Sequence, residues 1–168
     1  MPHSFEILDE ATNRSEFERL LRLYMAWVIP IFAKENGLCI DVEIASEAAI
    51  GKLGQFKPPD GVAVLGATPG GSGIGFVQRI RPDAGEVKRL FVEPGTRGSG
   101  LGRAILKRLC TEAEDLDMAR LYLDTASFMH EAHGLYRSEG FVDCDHYPEA
   151  EHNPVDSPTV LFMCKELG

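Results

Sequence analysis

Between residues 86 and 108 the chain passes from a strand-like run through a glycine-rich turn into an amphipathic helix. No other stretch restricts the fold as much. The run Glu86–Val92 (E-V-K-R-L-F-V) stops before Pro94, and four glycines and two arginines then fall within the nine residues Gly95–Arg103. Leu101, Ile105, Leu109, Ala113 and Leu116 follow along one side of a helix. Glycine lets a backbone turn inward and present N–H groups to a ligand. The start of a helix adds N–H donors without intrahelical acceptors and a partial positive charge. Together they make a seat for phosphate. The helix carries its charges against its dipole, with Arg103, Lys107 and Arg108 early and Glu112, Glu114 and Asp115 late. Each such placement costs about 0.3–1 kcal/mol, which a bound anion offsets. A solvated helix behind a tight turn explains the charge order equally well.

The wider charge distribution points the same way. Residues 86–108 hold six bases and two acids, whereas residues 109–168 hold three bases and thirteen acids. One basic island in an acidic chain suits a polyanionic ligand. A net charge of −9 argues against a nucleic-acid surface, which shows a basic stripe. The 168 residues suffice for a single domain, 1–168, with a proper core. Cys39, Cys110, Cys144 and Cys164 are too scattered for a zinc site or a disulfide scaffold. The expectation is therefore a reducing, cytoplasmic setting. The five histidines show no metal-ligand spacing, so no metal is expected. The first ten residues do not read as a secretory leader. The apolar run Leu23–Ala33 contains Pro30 and is too short to span a bilayer, so no membrane partner is expected.

Elements emerge from periodicity and turn residues. Phe5–Leu8 reads as a short strand. Asn13 or Ser15 can cap a helix from about Glu16, in which Phe17, Leu20, Leu21, Tyr24, Trp27, Val28 and Ile31 recur as a core stripe. A second helix is predicted over Val42–Leu53. Val62–Gly66, Ile74–Ile80 and Glu86–Val92 read as a meander of three strands. Ala119–Asp124 reads as a strand joined to the third by a right-handed parallel crossover. A helix over Met129–Glu139 ends at Gly140. Phe141–His146 and Thr159–Glu166 are predicted as a closing antiparallel pair. Between them lies the twelve-residue segment Tyr147–Pro158 with its three prolines. Segments that long inside a compact domain are often functional. The sum is an α+β fold on a mixed sheet.

Three glycine-loop families compete for the turn. A Walker-A loop requires Lys and Ser/Thr where this chain has Leu101 and Gly102. A Rossmann fingerprint requires G-x-G-x-x-G after the first strand, but Gly98, Gly100 and Gly102 are spaced G-x-G-x-G in mid-chain. The run Arg97-Gly98-Ser99-Gly100-Leu101-Gly102 matches R-x-x-G-x-G. That run resembles the pyrophosphate loop of the GNAT superfamily of acyl-CoA-dependent N-acyltransferases. Glu86–Val92 resembles the family's central strand. Ala132–Phe141 (A-H-G-L-Y-R-S-E-G-F) resembles its A-x-x-L-Y-x-x-x-G-F signature. Leu123-Asp124-Thr125 with Met129 is similar to the L-D-T-x-x-x-M of small bacterial members. The clear similarity spans residues 86–146.

The resemblance implies a mixed, mostly antiparallel GNAT-like sheet whose central parallel strands splay apart to hold acetyl-CoA. It implies that Leu90, Phe91 and Val92 pair with the pantetheine arm. A strand edge with free N–H and C=O groups suits an amide-rich ligand. It further implies that backbone N–H groups of Arg97, Gly98, Ser99, Gly100, Leu101, Gly102 and Arg103 hold the diphosphate. The expected activity is N-acetylation of a primary amine on a small molecule or peptide, by direct attack in a ternary complex. Deprotonating such an amine at pH 7 costs about 4.6 kcal/mol, so a general base is needed. The resemblance offers Glu86 for that role, with His130, His133, His146 and Glu43 as alternatives, and Tyr136 as the acid for the departing thiolate. Met129 stands where many relatives have Asn. Two other readings compete. One is a catalytically inactive CoA-binding regulatory or sensor module. The other is acetylation of a macromolecule such as aminoacyl-tRNA, which the negative charge disfavours. The six acids of residues 139–156 suggest a cationic acceptor, and an ordinary solvated acidic loop explains them equally well. A homodimer is a family habit.

Overall fold

The computed structural model describes residues 2–168. Its elements run β1 (Ser4–Ile7), α1 (Arg14–Asn36), α2 (Val42–Gly51), β2 (Gly61–Thr68), β3 (Gly71–Arg81), β4 (Ala84–Val92), α3 (Leu101–Asp115), β5 (Arg120–Ala126), α4 (His130–Ser138), β6 (Val142–Asp143) and β7 (Val160–Glu166). They form one seven-stranded sheet in the order β1-β2-β3-β4-β5-β7-β6. β4 and β5 are parallel, and the other neighbouring pairs are antiparallel. This is the mixed α+β sheet that the sequence predicts.

Alternation along the meander decides what covers each face. Val62, Val64, Val77 and Val87 point to one side and bury against Leu106 and Leu109 of α3. Ala63, Leu65, Ile74 and Phe76 point to the other and bury against Phe17 and Leu20 of α1. Burying a side chain the size of Phe17 or Phe76 contributes about 1.5–3 kcal/mol. Glycines on the first side let α3 lie close. A Cβ at Gly75 would stand 2.7 Å from Leu109 Cδ1, and one at Gly66 would stand 2.8 Å from Ile105 Cγ1.

The structure departs from three expectations in detail. Asn13 stands at the N-cap of α1 but makes no side-chain cap bond: its amide donates instead to Ile7 O (2.9 Å) and Glu6 Oε2 (3.0 Å), tying the helix to β1. The stripe on α1 buries Met25 and Phe32, while Trp27 is 37 % exposed. Tyr24 and Trp27 both pack on Phe91 of β4 (ring centroids 5.8 and 6.3 Å), Tyr24 at the edge of the core and beside a smaller cavity, Trp27 at a larger cleft. The closing hairpin is much shorter than predicted on its first strand. Only Val142–Asp143 pairs with β7, since Tyr147 turns inward to pack on Tyr122 and Phe162. No helix among the described residues is long and apolar enough to cross a membrane.

Two features of β4 open the centre of the sheet and shape its wall. Its pairing with β5 covers only Ala84, Gly85 and Glu86, after which the strands diverge. Beyond that point Arg89 and Leu90 together oppose Gly75, a bulge that breaks the alternation. Arg89 sits there at φ 49°, a left-handed conformation unusual for a side chain of its size.

Candidate active site

The divergence of β4 from β5 opens a cleft of ≈ 510 Å³. Leu90, Phe91 and Val92 form its β4 wall, Met129, Ala132 and Leu135 its α4 wall, and Trp27 and Arg97 flank it. The Arg97 guanidinium lies 5.3 Å from the centre of the Trp27 ring, a cation–π contact. The glycine turn stands at the end of this cleft. Gly98 (φ 80°) and Gly100 (φ 83°) are left-handed, and Gly100 precedes the first residue of α3. The turn uses only part of its donor set. Ser99 N donates to Thr96 O, and Leu101 N donates to Ser99 Oγ (3.3 Å). The N–H groups of Gly98, Gly100, Gly102 and Arg103 have no protein acceptor among the described residues. The first turn of α3 contains no acid. Gly102 borders the cleft, and a Cβ there would meet nothing nearer than 3.7 Å, so protein packing does not demand a glycine. Free amides, helix dipole and open space together suit a diphosphate. The side chain of Leu101 is buried in the core, and that of Arg103 pairs with Glu139.

On the other side of Met129 a second cavity of ≈ 250 Å³ lies between α1, β4 and the end of β5. Its polar side chains are Tyr24, Lys88, Arg89, Asp124, Thr125, Glu151 and His152. The last two come from the long segment after Tyr147, which folds over the sheet here. His152 Nδ1 lies 3.0 Å from Asp124 Oδ2, and the His152 backbone N–H donates to the same oxygen (3.2 Å). Burial favours the neutral ring. The hydrogen bond to Asp124 and the charges of Asp124 and Glu151 outweigh it, so the His152 pKa is raised. Burial alone would also raise the Glu151 pKa, but Lys88, Arg89 and His152 hold it below the usual carboxylate value.

Glu86 lines neither space. It is 1 % exposed, its Oε1 pairs with Lys88 Nζ, and its Oε2 accepts from Tyr147 Oη at 2.5 Å. Burial raises its pKa despite both partners. Tyr136 likewise lines neither space: it is buried on α4 against Phe141, one residue from the cleft-lining Leu135. Burial, and after it Tyr24 and Asp124, push its phenol well above the ordinary value, so it stays protonated. Of the alternative bases, His130 borders the cleft, and His133 Nε2 is engaged with Ala126 O (2.9 Å). His146 packs on Phe162, and Glu43 pairs with Arg22 on the surface. Arg137 pairs with Asp143. Motif reading does not find Lys88, Arg89, Glu151, His152 or Tyr147. Only the length of the segment after residue 146 signals that it matters.

Comparison with known proteins gives a consistent result. The family described as Acetyltransferase (GNAT) domain matches residues 60–143. An uncharacterised N-acetyltransferase of Schizosaccharomyces pombe is 29 % identical over 141 residues, covering 82 % of this chain and 83 % of that protein. A GNAT-family acetyltransferase of Staphylococcus aureus superposes with a TM-score of 0.74 at 15 % identity, over 99 % of this chain and 100 % of that one. PaiA N-acetyltransferase of Thermoplasma acidophilum, solved with coenzyme A, superposes with a TM-score of 0.71 at 13 % identity, over 99 % of both chains.

Proposed function

The chain belongs to the GNAT acetyltransferases, and from that premise we propose that it moves an acetyl group from acetyl-CoA to a primary amine held in the cavity beside Met129. The observation that carries this reading is the junction of two spaces. A cleft ending in four unpaired amides meets, at Met129, a smaller cavity lined by titratable groups. Acetyl-CoA supplies the acyl group as an activated thioester. The coenzyme A in the Thermoplasma protein supports this assignment.

Each group has a separate task. Gly98, Gly100, Gly102 and Arg103 hold the diphosphate with backbone N–H groups. Leu90, Phe91 and Val92 present the freed edge of β4 to the amide-rich arm, and an N–H of that edge stabilises negative charge on the thioester oxygen. Tyr136, kept protonated by burial, donates to the departing sulfur. His152 takes the proton of the amine, with Asp124 orienting its ring as in other carboxylate–imidazole pairs. Glu86, which the sequence offers as the base, acts behind this site by anchoring Lys88 and Tyr147.

Thiol release from acetyl-CoA, followed with a thiol-reactive dye across a panel of amines, tests the reading. The expected result is amine-dependent release. Tyr136→Phe is expected to lower kcat by about 10²–10⁴-fold while the acetyl-CoA affinity, measured by calorimetry, stays unchanged. No heat with CoA would overturn the reading. Tight binding without turnover for any amine would leave the sensor alternative.

A further inference from the structure

We propose that the cavity beside Met129 takes an amine that also carries a carboxylate, an apolar amino acid being the simplest, with Arg89 as the seat of the carboxylate. The inference rests on the acyl-transfer reading above and specifies its acceptor.

Arg89 is the reason. Simple alternation along β4 would set it on the same face as Val87, toward the apolar core under α3. The bulge opposite Gly75 instead turns it into the cavity, at a φ of 49° that a bulky residue rarely adopts. Its side chain is only 11 % exposed. Its ionic neighbour is Glu151 at 3.7 Å, and among the described residues its guanidinium makes no hydrogen bond. Arg81, by contrast, holds Glu149 through two bonds of 2.7 and 2.8 Å. A guanidinium presents its donors as a planar fork that matches a carboxylate. Glu151 does not fill that role, since it is shared with Lys88 at 3.4 Å. The fork is shielded and unmatched, and it faces a space of small-molecule size.

The rest of the cavity completes the description. Asp124 and His152 provide the polar end for the amine. Met25, Val28, Ile29, Phe32 and Val160 provide an apolar wall for a side chain. A volume of ≈ 250 Å³ suits an amino acid better than an extended polyamine. Among the acids that suggest a cationic acceptor from sequence, Glu149 pairs with Arg81 and Glu151 with Lys88.

The test is calorimetric titration of the CoA-loaded protein with leucine, its carboxylate-free analogue 3-methylbutylamine, the other apolar amino acids, and spermidine. Thiol release is measured in parallel. At least one apolar amino acid is expected to bind ten-fold or more tightly than its carboxylate-free analogue. Arg89→Asn, which suits a left-handed backbone, is expected to abolish that preference and leave CoA affinity unchanged. Arg89→Lys, a second variant should the first not fold, is expected to retain part of the preference. Equal affinity with and without the carboxylate would overturn the proposal. So would a preference for spermidine, or an equal loss for both ligands in Arg89→Asn. Carboxylate-dependent binding without thiol release would support the pocket assignment and count against the transferase reading, so the two fail separately.

Discussion

At the scale of single residues, the site is built from charged groups placed where water is scarce. The His152–Asp124 pair shows the consequence. Because its folded pKa is raised, His152 stabilises the fold in its protonated form. That contribution is complete below the unfolded value near 6.5 and disappears as pH rises through the higher folded value. Asp124→Asn keeps an acceptor oxygen but removes the nearest negative charge, leaving burial and Lys88 to oppose protonation against Glu151. The imidazole, followed by NMR titration, is then expected to titrate at lower pH. The acid limb of the kcat profile should move with it, and the loss of stability above about pH 6.5 should flatten. An acid limb that stays in place in Asp124→Asn and moves in Glu86→Gln would return the base role to Glu86. The carboxylate of Glu86 shows the opposite situation, since burial raises its pKa and its partners are structural.

At the scale of elements, α3 and the turn before it form one device. The helix lies close to the sheet because β2 and β3 have glycines beneath it. Its start is fixed by two left-handed glycines that leave alternate amides unpaired. The charge order along α3 is partly settled within the protein, since Arg108 pairs with Glu112 (2.6 Å) and Arg103 with Glu139. The unpaired amides of the first turn are not settled. Gly102 separates packing from binding. Alanine there meets no protein atom nearer than 3.7 Å and is the better helix former, by up to about 1 kcal/mol. Gly102→Ala is therefore expected to melt at the same temperature or higher, yet to bind acetyl-CoA at least ten-fold more weakly by calorimetry. Unchanged affinity would place the diphosphate elsewhere.

At the scale of the whole molecule, one sheet separates two cores and opens at its centre. Leu109 is fully buried where α3 meets β2 and β3. Leu109→Ala is expected to cost about 2–5 kcal/mol in urea unfolding and to weaken acetyl-CoA binding only as far as the folded fraction falls. A selective loss of binding in the fully folded variant would mean that α3 had shifted on the sheet. The meander, the crossover and the glycine turn are legible in the sequence, because period, proline and glycine are local signals that hydrogen bonding and chirality read directly. The cleft wall at Leu90–Val92 is legible through resemblance alone. Trp27 reads as core but borders the cleft at 37 % exposure, since periodicity identifies the apolar side of a helix and not how fully its edge is covered. Simple alternation puts Arg89 on the wrong face, because a bulge is set by pairing with β3 and not by the order of residues in β4. The meeting of His152 with Asp124, and of Tyr147 with Glu86, spans 28 and 61 positions along the chain. Such pairs leave no local pattern. They exist because the segment after β6 folds back across the opening between the strands and brings Tyr147 and His152 to buried carboxylates.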